Sequence, residues 1–153
     1  MKATLDDATR ISVAIYKPKF KKIQNIVSNY YGVSIKAMSN AKNHSAAAAN
    51  ARRVALYFCR TLSPNCSLKV IGIVNGNAYP LKYYNISNAV NWIDSRLSLK
   101  TKSGFPVHRQ LIEDISEIGR LIHVSLYEKR DLKAYRHRCH MRLIYKRSKL
   151  AKS

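Results

Sequence analysis

The run Ser67-Leu68-Lys69-Val70-Ile71-Gly72-Ile73-Val74-Asn75-Gly76-Asn77-Ala78-Tyr79-Pro80-Leu81-Lys82-Tyr83-Tyr84-Asn85-Ile86-Ser87-Asn88-Ala89-Val90-Asn91-Trp92-Ile93 decides how this chain is read. Leu68 and Ile71 recur at helical spacing, with Val74 closing the stripe, and Ser67 is placed as an N-cap. Asn75-Gly76-Asn77 is turn chemistry, and Pro80 has no amide hydrogen to give to a helix interior. Beyond it Ile86, Ala89/Val90, Ile93 and Leu97 share one face, which predicts a second helix from Tyr83 to Leu97. Two short helices joined by a turn make a helix-turn-helix. In such a unit the first helix braces the nucleic-acid backbone and the second presents its N-terminal side chains to base edges.

The flanks read as further helices. Upstream, Ala46 to Leu62 combines alanines of high helix propensity with a Val54, Ala55, Phe58, Leu62 stripe, capped by Ser45 and ended before Pro64. Val33, Ile35 and Met38 fit a short helix with Ser34 as its cap, and Asn40 to Ser45 is a polar loop. Phe20, Ile23, Ile26/Val27 and Tyr30/Tyr31 predict a helix over Lys19 to Tyr31, stopped by Gly32 in the C′ position. Residues 1–18 read as a leader in which Ile11, Val13 and Ile15 alternate as a short strand ended by Pro18. Downstream, Pro106 suits the first turn of a helix carrying Val107, Leu111/Ile112, Ile115, Ile118 and Ile122. The expectation is an all-α bundle of five or six short helices over residues 19–123, with a basic extension over 124–153.

Charge narrows the partner. The chain has 153 residues, 46% of them hydrophobic, and a formal net charge of +20. Twelve Lys and Arg and no Asp or Glu lie between Ala8 and Ile93. A solvated helical surface normally mixes signs in i,i+4 pairs, whereas an unrelieved basic one suits a polyanion, with nucleic acid the default. An anionic membrane or an RNA assembly is the alternative. No stretch approaches the roughly 18 apolar residues of a membrane span, and the N-terminus lacks the layout of a signal peptide. Three cysteines (Cys59, Cys66, Cys139) without a CxxC spacing offer neither a disulfide framework nor a zinc site. Together these point to a cytoplasmic protein in a reducing compartment.

Motifs that could carry chemistry read blandly. His137-Arg138-Cys139-His140 lacks the second ligand pair of a tetrahedral metal site and reads as basic tail. His44, His108 and His123 are scattered. Glu113 and Glu117 share a helical face beside Asp114; such a set could hold magnesium, but reads as a solvated face opposite Ile112 and Ile115. Trp92, inside an apolar stripe, reads as core or rim. No Ser-His-Asp or Cys-His arrangement has the spacing for nucleophilic catalysis, so no enzyme and no cofactor are expected. At the start of the second helix Asn85 and Asn88 suit adenine, Lys82 suits guanine or phosphate, and Tyr83 and Tyr84 suit sugars or thymine methyls.

Ile26-Val27-Ser28-Asn29-Tyr30-Tyr31-Gly32-Val33, Ala51-Arg52-Arg53-Val54-Ala55-Leu56-Tyr57 and Ser67-Leu68-Lys69-Val70-Ile71-Gly72 resemble domain IV, the C-terminal DNA-binding domain, of the bacterial replication initiator DnaA. The resemblance runs from about Ile23 to Ile122. It implies an all-helical fold of the DnaA domain IV or Trp repressor kind, whose helix-turn-helix reads the major groove while a basic loop touches the minor groove. The contacts it implies, together with the reading above, are Lys42, His44 and Ser45 in the loop; Arg52 and Arg53 on the long helix; Ser67, Leu68 and Lys69 on the bracing helix; and Lys82, Tyr83, Tyr84, Asn85 and Asn88 on the recognition helix. There are departures. The family's Asp-His-Thr-Thr is here Lys82-Tyr83-Tyr84-Asn85, the turn before it is about three residues longer, and His44 stands where the minor-groove arginine falls. No G-x-x-x-x-G-K-[ST] occurs, so no ATPase activity is expected.

The sequence therefore predicts a duplex DNA binder, a replication or transcription accessory factor of a bacterial cytoplasm or nucleoid, or of a phage or mobile element. A non-specific binder of RNA or chromosomal DNA that kept the fold and lost box specificity is the alternative. The oligomeric state is left open.

Overall fold

Asp6 opens the first helix: its carboxylate accepts from the Thr9 amide at 2.6 Å, and burial counts for little at so exposed a group, so the two Thr9 bonds hold its pKa below the usual value. In the computed structural model, which describes residues 5–77 and 79–128, six α-helices follow: α1 (Asp7–Tyr31), α2 (Ile35–Ser39), α3 (Ala46–Leu62), α4 (Leu68–Asn75), α5 (Tyr83–Ser98) and α6 (Arg109–His123), with a π-helical turn at Val124–Glu128. Among the described residues there is no strand, only one isolated antiparallel bridge between Lys100 and Pro106.

The expected strand at residues 11–15 is instead helix, and Pro18 lies inside α1 rather than ending an element. The boundary drawn between residues 18 and 19 therefore falls within one helix. An alternation of Ile11, Val13 and Ile15 fits both periods: Ile11 and Ile15 are i,i+4 neighbours exposed on one side, while Val13, Tyr16 and Phe20 turn toward the core. The helix tolerates Pro18 because Asp6 nucleates it from one side, and Phe20, Ile23 and Val27 anchor it from the other. Gly32 ends α1 in the left-handed region at φ 65°, donating its amide to the Ser28 carbonyl, as its C′ position requires. The remaining caps follow the sequence: Ser34, Ser45 and Ser67 each accept an amide three residues on.

The core is one cluster. Phe20, Ile23 and Val27 of α1 meet Val54, Leu56 and Cys59 of α3, Ile71 of α4, Ile86 and Ile93 of α5, and Ile118, Leu121 and Ile122 of α6, all fully buried. Within it runs a polar seam. Gln24 donates to the Val74 carbonyl at 3.2 Å and to Asn75 Oδ1 at 3.0 Å, and Asn75 donates to the Ile71 carbonyl at 2.9 Å and contacts Cys59 Sγ at 3.6 Å. Asn75 is thus the buried last residue of α4, not part of an exposed turn. The seam fixes α4 against α1 and α3, and burial pushes the Cys59 thiol up to about 12.

Two further expectations change at α6. The helix begins at Arg109, not near Pro106, because residues 99–107 close on themselves: Thr101 donates to the Phe105 carbonyl at 2.8 Å and Val107 to that of Leu99 at 3.1 Å. Val107 is exposed as a result. Asp114, read as part of a solvated acidic face, is buried and accepts from Tyr30 Oη at 2.7 Å, Tyr31 Oη at 3.1 Å and Gln110 Nε2 at 2.8 Å. Those bonds pin α6 to the end of α1. Burial first, then the Asp114 bond and charge, push the Tyr30 phenol up to about 12. Glu117 pairs with Arg120 on the outer face.

Candidate nucleic-acid interface

The turn between α4 and α5 is set by close backbone approach. The Leu81 amide donates to the Gly72 carbonyl at 3.0 Å, and a Cβ on Gly72 would stand 2.2 Å from the Leu81 carbonyl oxygen. Only glycine admits that approach, and it delivers Lys82 as the N-cap of α5. The Lys82 side chain makes no capping bond, and of the first-turn amides of α5 that of Asn85 donates to the Lys82 carbonyl at 2.9 Å. Around this helix start Tyr79, Tyr83 and Tyr84 are 84%, 68% and 45% exposed. Tyr83 and Tyr84 pack edge to face at 5.9 Å, and Lys82 Nζ lies 5.8 Å from the Tyr84 ring. Asn85 is half-buried and Asn88 exposed, and neither side-chain amide bonds any described residue. Buried Ile86, Ala89 and Ile93 hold the opposite face of α5.

The bracing helix presents less. Ser67 Oγ accepts from the Val70 amide at 3.2 Å, Leu68 is half-buried against the core, and Lys69 is exposed. In the α2–α3 loop Lys42 and His44 are exposed, and Ser45 Oγ accepts from the Ala48 amide at 3.3 Å. Asn40 and Asn43 fold the loop by accepting from the Lys42 and Ser45 amides, each at 3.1 Å.

Arg52 and Arg53, adjacent in sequence, do different work. Arg52 donates to three carbonyls, those of Met38 (2.8 Å), Asn40 (2.5 Å) and Asn43 (3.0 Å), and so ties the loop to α3. Burial, and secondarily the charge of Arg53, pulls its pKa down. The structure thus gives the half-buried Arg52 guanidinium, expected at the DNA, a bracing position against the loop. Arg53 faces α5, with its guanidinium carbon 4.5 Å from the centroid of the Trp92 ring. Arg96 lies over the same ring at 3.9 Å. Neither bridges to Asp94. Arg96 was not singled out from the sequence, although its i,i+4 spacing to Trp92 was a usable signal. The acid-free stretch is explained in part by inward donation: Lys19 donates to the Leu62 carbonyl at 2.6 Å, and Arg60 to those of Pro64 and Cys66 at 2.9 and 3.3 Å. His137 to His140 and the basic tail lie outside the described residues.

An all-helical bundle that sets a braced short helix, a tight turn and a second helix with an uncovered N-terminal face has the architecture of a helix-turn-helix domain, a DNA-binding class. Residues 20–78 match the family described as the bacterial DnaA protein helix-turn-helix, to which this stretch of the chain is similar. The match begins at Phe20 within α1 and ends in the turn, so α5 lies beyond it. No curated protein and no solved structure matches the chain.

Proposed function

We propose that the chain binds duplex DNA in a sequence-selective manner, with α5 in the major groove and basic residues on phosphates, as a replication or transcription accessory factor without ATPase or other enzymatic activity. The observation that carries this reading is the start of α5. Lys82, Tyr83, Tyr84, Asn85 and Asn88 sit on a helix held by its buried face, within a stretch of sequence free of acids, and the side-chain amides of Asn85 and Asn88 bond no described residue, as base-edge contacts need. Lys42, His44 and Ser45 at the loop, Arg53 on α3, and Ser67, Leu68 and Lys69 at α4 supply the remaining contacts, Arg52 acting by holding the loop. The bundle from α1 to α6 acts as the DNA-binding unit, with α1 extending it upstream of residue 19, and the stretch from 124 onward adds affinity without sequence information. No helix among the described residues is long and apolar enough to cross a membrane.

Selection from a random duplex pool, followed by titration of selected against random duplex at about 0.15 M salt, tests the reading. Binding should weaken with salt at a slope of about −5 in log K against log salt, for roughly six neutralised phosphates. A slope near zero would remove phosphate contacts as its basis. Because Lys82-Tyr83-Tyr84-Asn85 replaces the Asp-His-Thr-Thr pattern, preference for the DnaA box over scrambled duplex should stay below about tenfold. The end of the family match before α5 favours a second reading, a binder of RNA or chromosomal DNA without sequence preference. Equal affinity for selected and random duplex would establish it.

A further inference from the structure

Trp92 lies on α5 two turns beyond Asn85, on the flank that faces α3 rather than on the outermost face. Two guanidinium groups from different helices converge on its ring, Arg53 from α3 at 4.5 Å and Arg96 from α5 at 3.9 Å. Their carbons are therefore no more than 8.4 Å apart. Both side chains are half-buried and held: Arg53 Nη1 donates to Asn50 Oδ1 at 3.2 Å, and Arg96 Nη1 donates to the Trp92 carbonyl at 3.2 Å. Neither stands within ion-pairing distance of a carboxylate among the described residues. Asp94, the acid on the same helix, is two residues from each of Trp92 and Arg96; it makes no ion pair with either guanidinium, although its charge reaches Tyr57 on α3. Arg53 also repels Arg52 enough to contribute to lowering its pKa.

Such an arrangement is unfavourable without a third party. Two like charges are brought together at a partly desolvated site with only the indole's π face to offset their repulsion. A guanidinium stacked on an aromatic ring keeps its N–H donors in its own plane, and with Nη1 engaged within the protein each of these two groups retains further donors for a phosphate oxygen. Because packing already holds the side chains, little rotamer freedom remains to be lost on binding. We propose that Arg53 and Arg96, stacked on Trp92, form a preset clamp for a backbone phosphate of the bound nucleic acid. The clamp lies on the α3 side of the recognition helix and fixes how deep and at what angle α5 sits in the groove. Trp92 is a positioning residue: it holds the two cations and contacts no base. The proposal rests on the DNA-binding reading above and adds a site to it.

Trp92 is the single tryptophan of the chain, so its emission reports on this site alone. The full chain is titrated with selected and with random duplex, following both the anisotropy of labelled DNA and the Trp92 emission. The emission should change in step with binding to either duplex. Arg53→Ala with Arg96→Ala should weaken binding to both duplexes by the same factor, about tenfold or more, and reduce the magnitude of the salt slope by about 2, one for each charge. Trp92→Phe should keep most of the affinity, whereas Trp92→Ala should lose affinity to both duplexes while leaving the salt slope near its original value. Arg53→Lys with Arg96→Lys retains the charge without the stacked fork and should fall between. If the double alanine variant folds and binds with unchanged slope while Asn85→Ala still abolishes discrimination, the clamp is wrong and the DNA reading stands. If the unmodified chain binds neither duplex at any salt, both fall.

Discussion

Two helix starts in this molecule face the same task and are built differently. Where α3 begins, the preceding loop is bound to the fold: Arg52 reaches back to three carbonyls, Asn40 and Asn43 fold the turn, and Ser45 caps the helix. Where α5 begins, the backbone is equally constrained through Gly72 and Leu81, but the side chains are not: the cap position holds Lys82 with no capping bond, and the amides of Asn85 and Asn88 are free of described partners. The difference separates scaffold from the surface proposed to read DNA. Polar groups already hydrogen-bonded within the protein are held in place by it, and those left over are the ones available to a base edge. The family match covers the first start and stops short of the second.

The sharpest way to break this contrast is at the shared backbone. Gly72→Ala should destabilise the chain by about 3 kcal/mol, since the clash is with a carbonyl that cannot move without displacing α5. Urea denaturation measures it, and a cost under about 1 kcal/mol would mean that the turn is not held by this contact. Next in size, Arg52→Ala removes three charge-assisted bonds and should cost about 2–3 kcal/mol of stability. Arg52→Lys, which keeps the charge without the fork, should recover little of it. A folded Arg52→Ala protein of unchanged stability but weakened DNA affinity would return Arg52 to the contact surface.

Asn85→Ala should do the reverse: stability within about 0.5 kcal/mol of the unmodified chain, and a loss of about 1–3 kcal/mol on the selected duplex alone. Competition against random duplex reads that difference directly, and equal losses on both would make α5 a non-specific contact. The smallest effect is at Lys82. Lys82→Ser supplies the absent cap and should stabilise the fold by about 0.5–1 kcal/mol. The same change should weaken DNA binding through the loss of one charge. Stabilisation with unchanged affinity would show that Lys82 is only an uncapped helix start.

Much of the bundle was legible in the chain itself. Ser34, Ser45 and Ser67 as caps, Gly32 as a stop and the apolar stripes of α3, α4 and α5 are local signals, settled by hydrogen bonds and spacing within one or two turns. The helix-turn-helix and its exposed Lys82–Asn88 face followed from them. Tertiary structure decided the rest, because each of those outcomes depends on what a distant element offers. Residues 7–18 became helix because the core side of Val13 and Tyr16 met a partner, which a five-residue alternation cannot show. Asp114 left the solvated face because two tyrosine hydroxyls, 83 and 84 residues away in sequence, come to meet it. Arg52 and Arg53 are the same residue type in adjacent positions and are told apart only by what surrounds them: three loop carbonyls for one, and for the other an indole ring from another helix. Sequence determines which groups are charged, apolar or able to cap; packing determines which of the charged ones are already held by the protein and which remain for a ligand.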